Sequence, residues 1–384
     1  MAIDERTKSL RFENLLGAKF AEGNEILSLR NGDEIFGAML KAIRNAERAI
    51  DFLTFVFWPG ETANEFAAAF AEKAREGVRV RVLLDAYGSG SLDPACLAVM
   101  EDAGVQVAWF RTMFRFRFWR NNNRTHRKVL VCDGRIAFTG GVGIADEWRG
   151  NAEDRFHWRD THFQVRGPAV QGLYAAFLSN WVEATNEIPP AEELDLQKLE
   201  ANISAIVIQS SSTAGWSDAK MILRVLMGIA TRSIRITTPY FVPDLALRVL
   251  IVEALRRGVS VEMVMPGRFN NHPIVKWAAT PDIIELVKAG AAIYLYDKTM
   301  IHTKTVTVDG HLSFVGSVNC NHRSMCLDDE VGLLVDSQSF ASELESHFAR
   351  DKKESTRADV RDLRPKTAGD FVRNAIARLF RTEI

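Results

Sequence analysis

Apolar and polar positions along this chain fall into one alternation of helix and strand that occurs twice. After Asn31-Gly32-Asp33, with Asp33 as the expected N-cap, Ile35, Phe36, Met39, Leu40 and Ile43 recur at helical spacing. Residues 49–58 form a nearly continuous apolar run and read as a buried strand. Residues 65–76 predict a helix closed by Gly77, and 78–84 a second strand. The order then returns. Residues 219–230 read as helix, 233–239 as strand, 245–257 as a helix closed by Gly258 and 259–265 as strand. Residues 281–289 read as a helix closed by Gly290. Helix alternating with strand predicts an α/β sandwich with a largely parallel sheet. The repetition divides the chain into two similar lobes, 24–186 and 204–384, joined by a linker at 187–203 that carries Pro189-Pro190 among charges. Residues 1–23 have no strong pattern and are expected to form a loosely attached arm.

Each lobe contains the same polar interruption. The first copy is His126-Arg-Lys128-Val-Leu-Val-Cys-Asp133-Gly134, the second His302-Thr-Lys304-Thr-Val-Thr-Val-Asp309-Gly310. Between Lys and Asp lies a β-branched, apolar run, so each copy reads as a strand ending in a turn. Alternate residues of a strand share a face, which aims each His and its Lys the same way. A titratable imidazole beside an ammonium suits a phosphate ester. A lone His is most often structural. Two copies, each followed by a Gly-rich turn (Gly140-Gly141 and Gly316-Ser317), are not explained that way.

These motifs resemble the phospholipase D superfamily, whose signature is this duplicated pattern, and the stretch Thr237-Thr-Pro-Tyr-Phe-Val-Pro-Asp244 looks like bacterial cardiolipin synthases. The resemblance implies the phospholipase D fold: two pseudo-twofold-related α/β/α lobes with the active site at their interface. It implies a phosphatidyltransferase acting through a phosphohistidine, most simply making cardiolipin from two phosphatidylglycerol molecules with release of glycerol. Hydrolysis by the same site, or a phosphodiester nuclease, are the alternatives. His126 is then the expected nucleophile and His302 the general acid and base, although the sequence alone leaves these roles exchangeable. Lys128, Lys304, Asn319 and Ser317 would bind the phosphate oxygens, making a metal or other cofactor unnecessary. Asp133 and Asp309 would tie down the turns. A nucleophilic His needs its second nitrogen held by a carboxylate. Glu330 is assigned to His302 and Asp160 to His126, each from its own lobe. Gly143 stands where relatives commonly carry Asn, and Asn321 where many carry Asp, so the site is expected to be asymmetric.

Composition then limits the setting. A net charge of −1 gives no global pull toward nucleic acid, and a nuclease would usually be basic overall. Cys96, Cys132, Cys320 and Cys326 have no metal-type spacing and suggest reduced thiols. No apolar run approaches the ~20 residues of a membrane span, and the N-terminus has no signal-peptide core. These features point to a cytoplasmic protein held peripherally on the inner face of the cell membrane. Local attraction is concentrated before His126, where Arg115, Phe116, Arg117, Phe118 and Trp119 alternate basic and aromatic side chains. That stretch reads as a docking edge for an anionic membrane, with core packing and single-stranded nucleic acid as the other readings. Residues 368–381 form a C-terminal amphipathic stretch, expected mainly to dock on its own domain, with membrane attachment as the lesser reading. Oligomeric state is not legible.

Overall fold

A computed structural model describes residues 5–112, 122–211, 217–364 and 367–381. In the first lobe the apolar runs become strands β1 (Ala21–Arg30), β2 (Ala49–Thr54), β3 (Arg79–Asp85), β4 (Gln106–Phe110), β5 (Val129–Cys132), β6 (Ile136–Gly140) and β7 (Thr161–Arg166). The second lobe supplies β8 (Ile203–Ser210), β9 (Ser233–Thr237), β10 (Phe241–Val242), β11 (Ser260–Pro266), β12 (Ala292–Tyr296), β13 (Thr305–Val308), β14 (Leu312–Gly316), β15 (Cys320–Asn321), β16 (Glu330–Asp336) and β17 (Ser355–Arg357).

Among the described residues, fifteen strands form one sheet, in the order β17-β12-β11-β9-β13-β14-β16-β8-β1-β7-β6-β5-β2-β3-β4. The order reads alike from the β8–β1 junction outward in both directions, as a pseudo-twofold duplication requires. The expectation of a largely parallel sheet is corrected. Only β2-β3-β4 and β9-β11-β12 run parallel, and every other pairing in this sheet is antiparallel. Two of the antiparallel pairings follow from the His motifs themselves. Each ends in Asp-Gly with both residues at positive φ (55° and 64° at Asp133-Gly134, 56° and 65° at Asp309-Gly310). That is the turn that reverses a chain into a hairpin, so β5–β6 and β13–β14 pair antiparallel.

Helices cover both faces. Ile35, Phe36, Phe66 and Phe70 of Asn31–Arg44 and Glu61–Arg75 bury a first-lobe core, and the second lobe has its own. A third core joins the lobes: Leu173, Phe177 and Trp181 of Val170–Thr185 and Phe340 and Leu344 of Gln338–Lys353 share one cluster with Val131, Phe163, Val331 and Leu333. Two helix boundaries differ from the sequence reading. Asn31–Arg44 starts before Asp33, and Glu34 rather than Asp33 accepts the N–H of the N-cap residue Arg30, at 2.7 Å. Pro281 does not open its helix but lies inside Pro273–Lys288, where Pro273 takes the first-turn position.

The loose arm is also corrected. Residues Glu5–Leu16 are helical, and β1 follows at the centre of the sheet. Phe12 is fully buried in the second-lobe core. Lys8, 1% exposed, donates to Asp309 at 2.6 Å. Asp309 also accepts the backbone N–H groups of Thr231, Arg232 and Ser233. Its counterpart Asp133 accepts those of Glu47, Arg48 and Ala49. Burial alone would raise the Asp309 pKa, but Lys8 and the amides outweigh it and hold it at about 2. Asp309→Ala is therefore expected to cost about 3–5 kcal/mol, because it removes the carboxylate that a buried ammonium and three backbone N–H groups share. Urea denaturation at neutral pH measures this. With the folded pKa depressed, the carboxylate's contribution is full above its unfolded value near ~4 and is lost as pH falls toward 2. The wild-type and variant stabilities should converge over that window.

Candidate active site

The two His segments run beside each other's lobe. Immediately before β5, His126 donates its backbone N–H to the Asp329 carbonyl (2.9 Å), and Asp329 returns one to Arg124 (2.8 Å). In the same way His302, before β13, donates to Arg159 (2.7 Å), and Arg159 to Met300 (2.9 Å). Each His-x-Lys is thus extended backbone leading into the strand, rather than part of it.

This crossing decides which carboxylate holds which imidazole. His126 Nδ1 faces Glu330 Oε1 at 3.0 Å, and His302 Nδ1 faces Asp160 Oδ2 at 2.9 Å. The sequence-based assignment, with each acid serving its own lobe, is reversed. Glu330 begins β16 and Asp160 precedes β7, and both are fully buried. Trp148 Nε1 donates to Asp160 at 3.0 Å, and the Ser317 hydroxyl donates to Glu330. Ser317 also bonds the backbone of Val331, so it orients the carboxylate and does not face the pocket as a phosphate ligand.

Lys128 Nζ donates to the His126 carbonyl at 2.8 Å, and Lys304 Nζ to that of His302 at 2.6 Å. The Lys304 ammonium also lies 3.0 Å from His302 Nδ1. Burial pushes both lysines down, to about 7 for Lys128 and about 8 for Lys304. Burial lowers His126 to about 4 against the pull of Glu330. Burial and then Lys304 lower His302 to about 3. Burial works to raise Asp160, but His302 and Lys304 prevail and hold it at about 2. Near pH 7 the site therefore contains two neutral imidazoles, two carboxylates, a mostly protonated Lys304 and a Lys128 close to half protonated. With Nδ1–H directed at a carboxylate, the neutral tautomer leaves Nε2 unprotonated.

His126, Lys128, His302 and Asn319 line one cavity of about 720 Å³. Asn319 donates to Ser324 at 3.2 Å, and its buried Oδ1 has no hydrogen-bond partner among the described residues. Asn321 caps the short helix His322–Cys326 by accepting from Ser324 N–H. The sequence reading missed the cavity's aromatic wall. Phe55 packs on His126 with ring centroids 5.3 Å apart, while Trp148 and Trp158 flank His302 at 5.3 and 5.7 Å. It also missed Asp328, whose carboxyl burial raises to about 8 despite Arg323 at 3.1 Å. No local pattern marks these residues, which reach the cavity from segments far apart in the chain. The basic–aromatic stretch Arg115, Phe116, Arg117, Phe118 and Trp119 lies outside the described residues.

Gly143 has a structural cause. A Cβ there would stand 2.6 Å from Val56 Cβ and 3.2 Å from the Val56 carbonyl. Gly143→Asn is therefore expected to lower activity and melting temperature rather than add a phosphate-binding amide, since overpacking typically costs ~1–3 kcal/mol. Thermal denaturation beside an activity assay checks this.

A duplicated pair of carboxylate-held imidazoles that line one cavity, each with its own lysine beside it, is the arrangement of an enzyme of the phosphatidyltransferase or phospholipase D type. The family described as "Cardiolipin synthase, PLD-like domain" matches residues 39–171 and 223–352. The chain is 37% identical over 326 residues to cardiolipin synthase A of Pseudomonas fluorescens (strain SBW25), covering 84% of this chain and 67% of the relative. It is 30% identical over 368 residues to the major cardiolipin synthase of Bacillus subtilis (strain 168), covering 94% and 76%. A phosphatidylserine synthase of Haemophilus influenzae Rd KW20 shares the fold, with a TM-score of 0.75 at 16% identity over 98% of this chain and 100% of that one. The chain belongs to the phospholipase D superfamily, within its cardiolipin synthase-like family.

Proposed function

We propose that the chain transfers a phosphatidyl group from one phosphatidylglycerol to another, forming cardiolipin and releasing glycerol. The observation that carries this is the crossed His–carboxylate pair, each beside a lysine, in a chain whose relatives are cardiolipin synthases. His126 Nε2 attacks phosphorus, and the P–O bond to the leaving glycerol breaks as His302 gives that oxygen a proton. The P–N bond of the phosphohistidine then breaks when the second lipid's glycerol hydroxyl attacks and returns its proton to His302. Lys128, Lys304 and Asn319 hold the non-bridging oxygens as charge builds there. Glu330 keeps the His126 Nδ1–H in place and supports positive charge on the ring.

Burial and Lys304 keep His302 neutral near pH 7, yet the leaving oxygen needs a proton. The bound phosphodiester supplies the remedy. Its negative charge offsets the lysines and lifts the His302 pKa, so the site takes up a proton as substrate binds.

The test is incubation of the purified protein with defined phosphatidylglycerol, with products read by mass spectrometry. Cardiolipin and glycerol in equal amounts support the reading. Phosphatidic acid as the sole lipid product makes the protein a hydrolase, and cleavage of DNA or RNA with no lipid turnover makes it a nuclease. Because lysines and an amide supply the charge stabilisation, EDTA should leave the rate unchanged. Full loss restored by a divalent ion would overturn that part of the mechanism.

A further inference from the structure

Beyond the active site, the C-terminal helix Ala368–Leu379 is turned the wrong way round for a helix that merely packs on its own domain. It begins with a capping box, in which Thr367 and Asp370 satisfy each other's backbone N–H groups. Only Asn374 and Ala377 are buried. Its large apolar residues point outward, with Phe371 68% exposed, Leu379 79%, and Val372 and Ile376 each more than half exposed. At ~100° per residue, Phe371, Val372, Ile376, Leu379 and Phe380 fall on one half of the helix, opposite Asn374 and Ala377. This corrects the expectation that the amphipathic end buries its apolar face on the protein. The helix is held from behind by polar contacts. Arg381 donates to Asp282 at 2.7 Å and to the Pro243 carbonyl at 2.8 Å, and Arg373 lies over the Trp277 ring at 4.7 Å. Arg373 and the exposed Arg378 lie on the two margins of the apolar half.

Beside this face runs an apolar groove of about 520 Å³, lined by Ile274, Trp277, Val372 and Ile376 among others. Ile274 lines the catalytic cavity as well, so groove and cavity adjoin. A cavity with charged walls suits a lipid head group. The acyl chains then need an apolar way out.

We propose that the helix Ala368–Leu379 docks on an anionic phospholipid bilayer, its outward apolar half at the acyl boundary and the exposed Arg378 at the phosphates. The adjoining groove leads acyl chains from the leaflet toward the catalytic cavity. A single amphipathic helix with basic flanks has the composition of an in-plane interfacial element. A contiguous exposed apolar face this close to a site marks an interaction surface. The inference rests on the lipid reading of the site for its chemistry, but its test reads binding without turnover.

Full-length protein would be floated with vesicles of phosphatidylcholine alone and of phosphatidylcholine with phosphatidylglycerol, beside the double variant Phe371→Ser/Leu379→Ser. Both positions are exposed, so an unchanged melting temperature is expected and would be checked. The parent should float with the anionic vesicles. The variant's partition should fall at least about tenfold, since two large apolar side chains no longer leave water. Its turnover of a short-chain, monomerically dissolved phosphatidylglycerol should be unchanged. A parent that does not float, or a variant that floats equally well, overturns the proposal. Light scattering supplies the remaining outcome: a parent dimer that the variant converts to monomer, with vesicle binding unaltered, would make this face a contact between two copies. A parent that floats but does not turn lipid over would sink the proposed reaction and leave the docking inference standing.

Discussion

His126→Ala is expected to abolish turnover, by at least about 10⁴-fold and closer to the ~10⁶ seen when a covalent nucleophile is removed. The fold should survive, because the segment is fixed by its backbone bond to Asp329 and by Lys128, not by the ring alone. His302→Ala should also stop the full reaction, but not every step of it. With an activated donor whose leaving group needs no proton, the phosphohistidine should still form on residue 126. Single-turnover labelling followed by peptide mapping reads this directly. Label on residue 302 in the His126→Ala variant would exchange the two roles.

Exchanging the carboxylates' charge gives the second large effect and tests the crossing between lobes. Glu330→Gln and Asp160→Asn should each lower steady-state turnover by about 10²–10⁴, as when the acid of a His–acid pair is neutralised. They should differ in the half-reaction. Glu330 holds His126, so Glu330→Gln should slow labelling by the activated donor, whereas Asp160 serves His302 and Asp160→Asn should spare it. Had each acid served its own lobe, the outcomes would be reversed. Both acids are buried and replaced by near-isosteres, but Ser317 and Trp148 also donate to them, so melting temperatures belong beside the rates.

Much of the architecture was legible from the sequence because it depends on local periodicity. The repeated order of helix and strand, and the two His-x-Lys-x-x-x-x-Asp-Gly units, identified the duplication and singled out the His-Lys pairs that lie beside the buried acids. The Asp-Gly pairs carried more information than was drawn from them. Read as hairpin turns, they would have predicted two antiparallel pairs, since positive φ at both residues turns β5 back on β6 and β13 back on β14.

What the sequence and its family resemblance singled out was a set of chemical groups: two imidazoles, two lysines, an amide and two acids. Which group met which was decided by tertiary structure. A pseudo-twofold makes Asp160 and Glu330 equivalent in sequence terms, and no local pattern tells a His whether its acid comes from its own copy or the other. The backbone bonds from His126 to Asp329 and from His302 to Arg159 settle the choice, because they lay each motif against the opposite lobe. The same holds for the two chain ends. Lys8 reads as a solvated charge until Asp309 is found beside it. The C-terminal helix has an amphipathic pattern that fixes only a relative orientation of its faces. Packing by Asn374 and Ala377, the small and polar side, is what turns Phe371 and Leu379 outward.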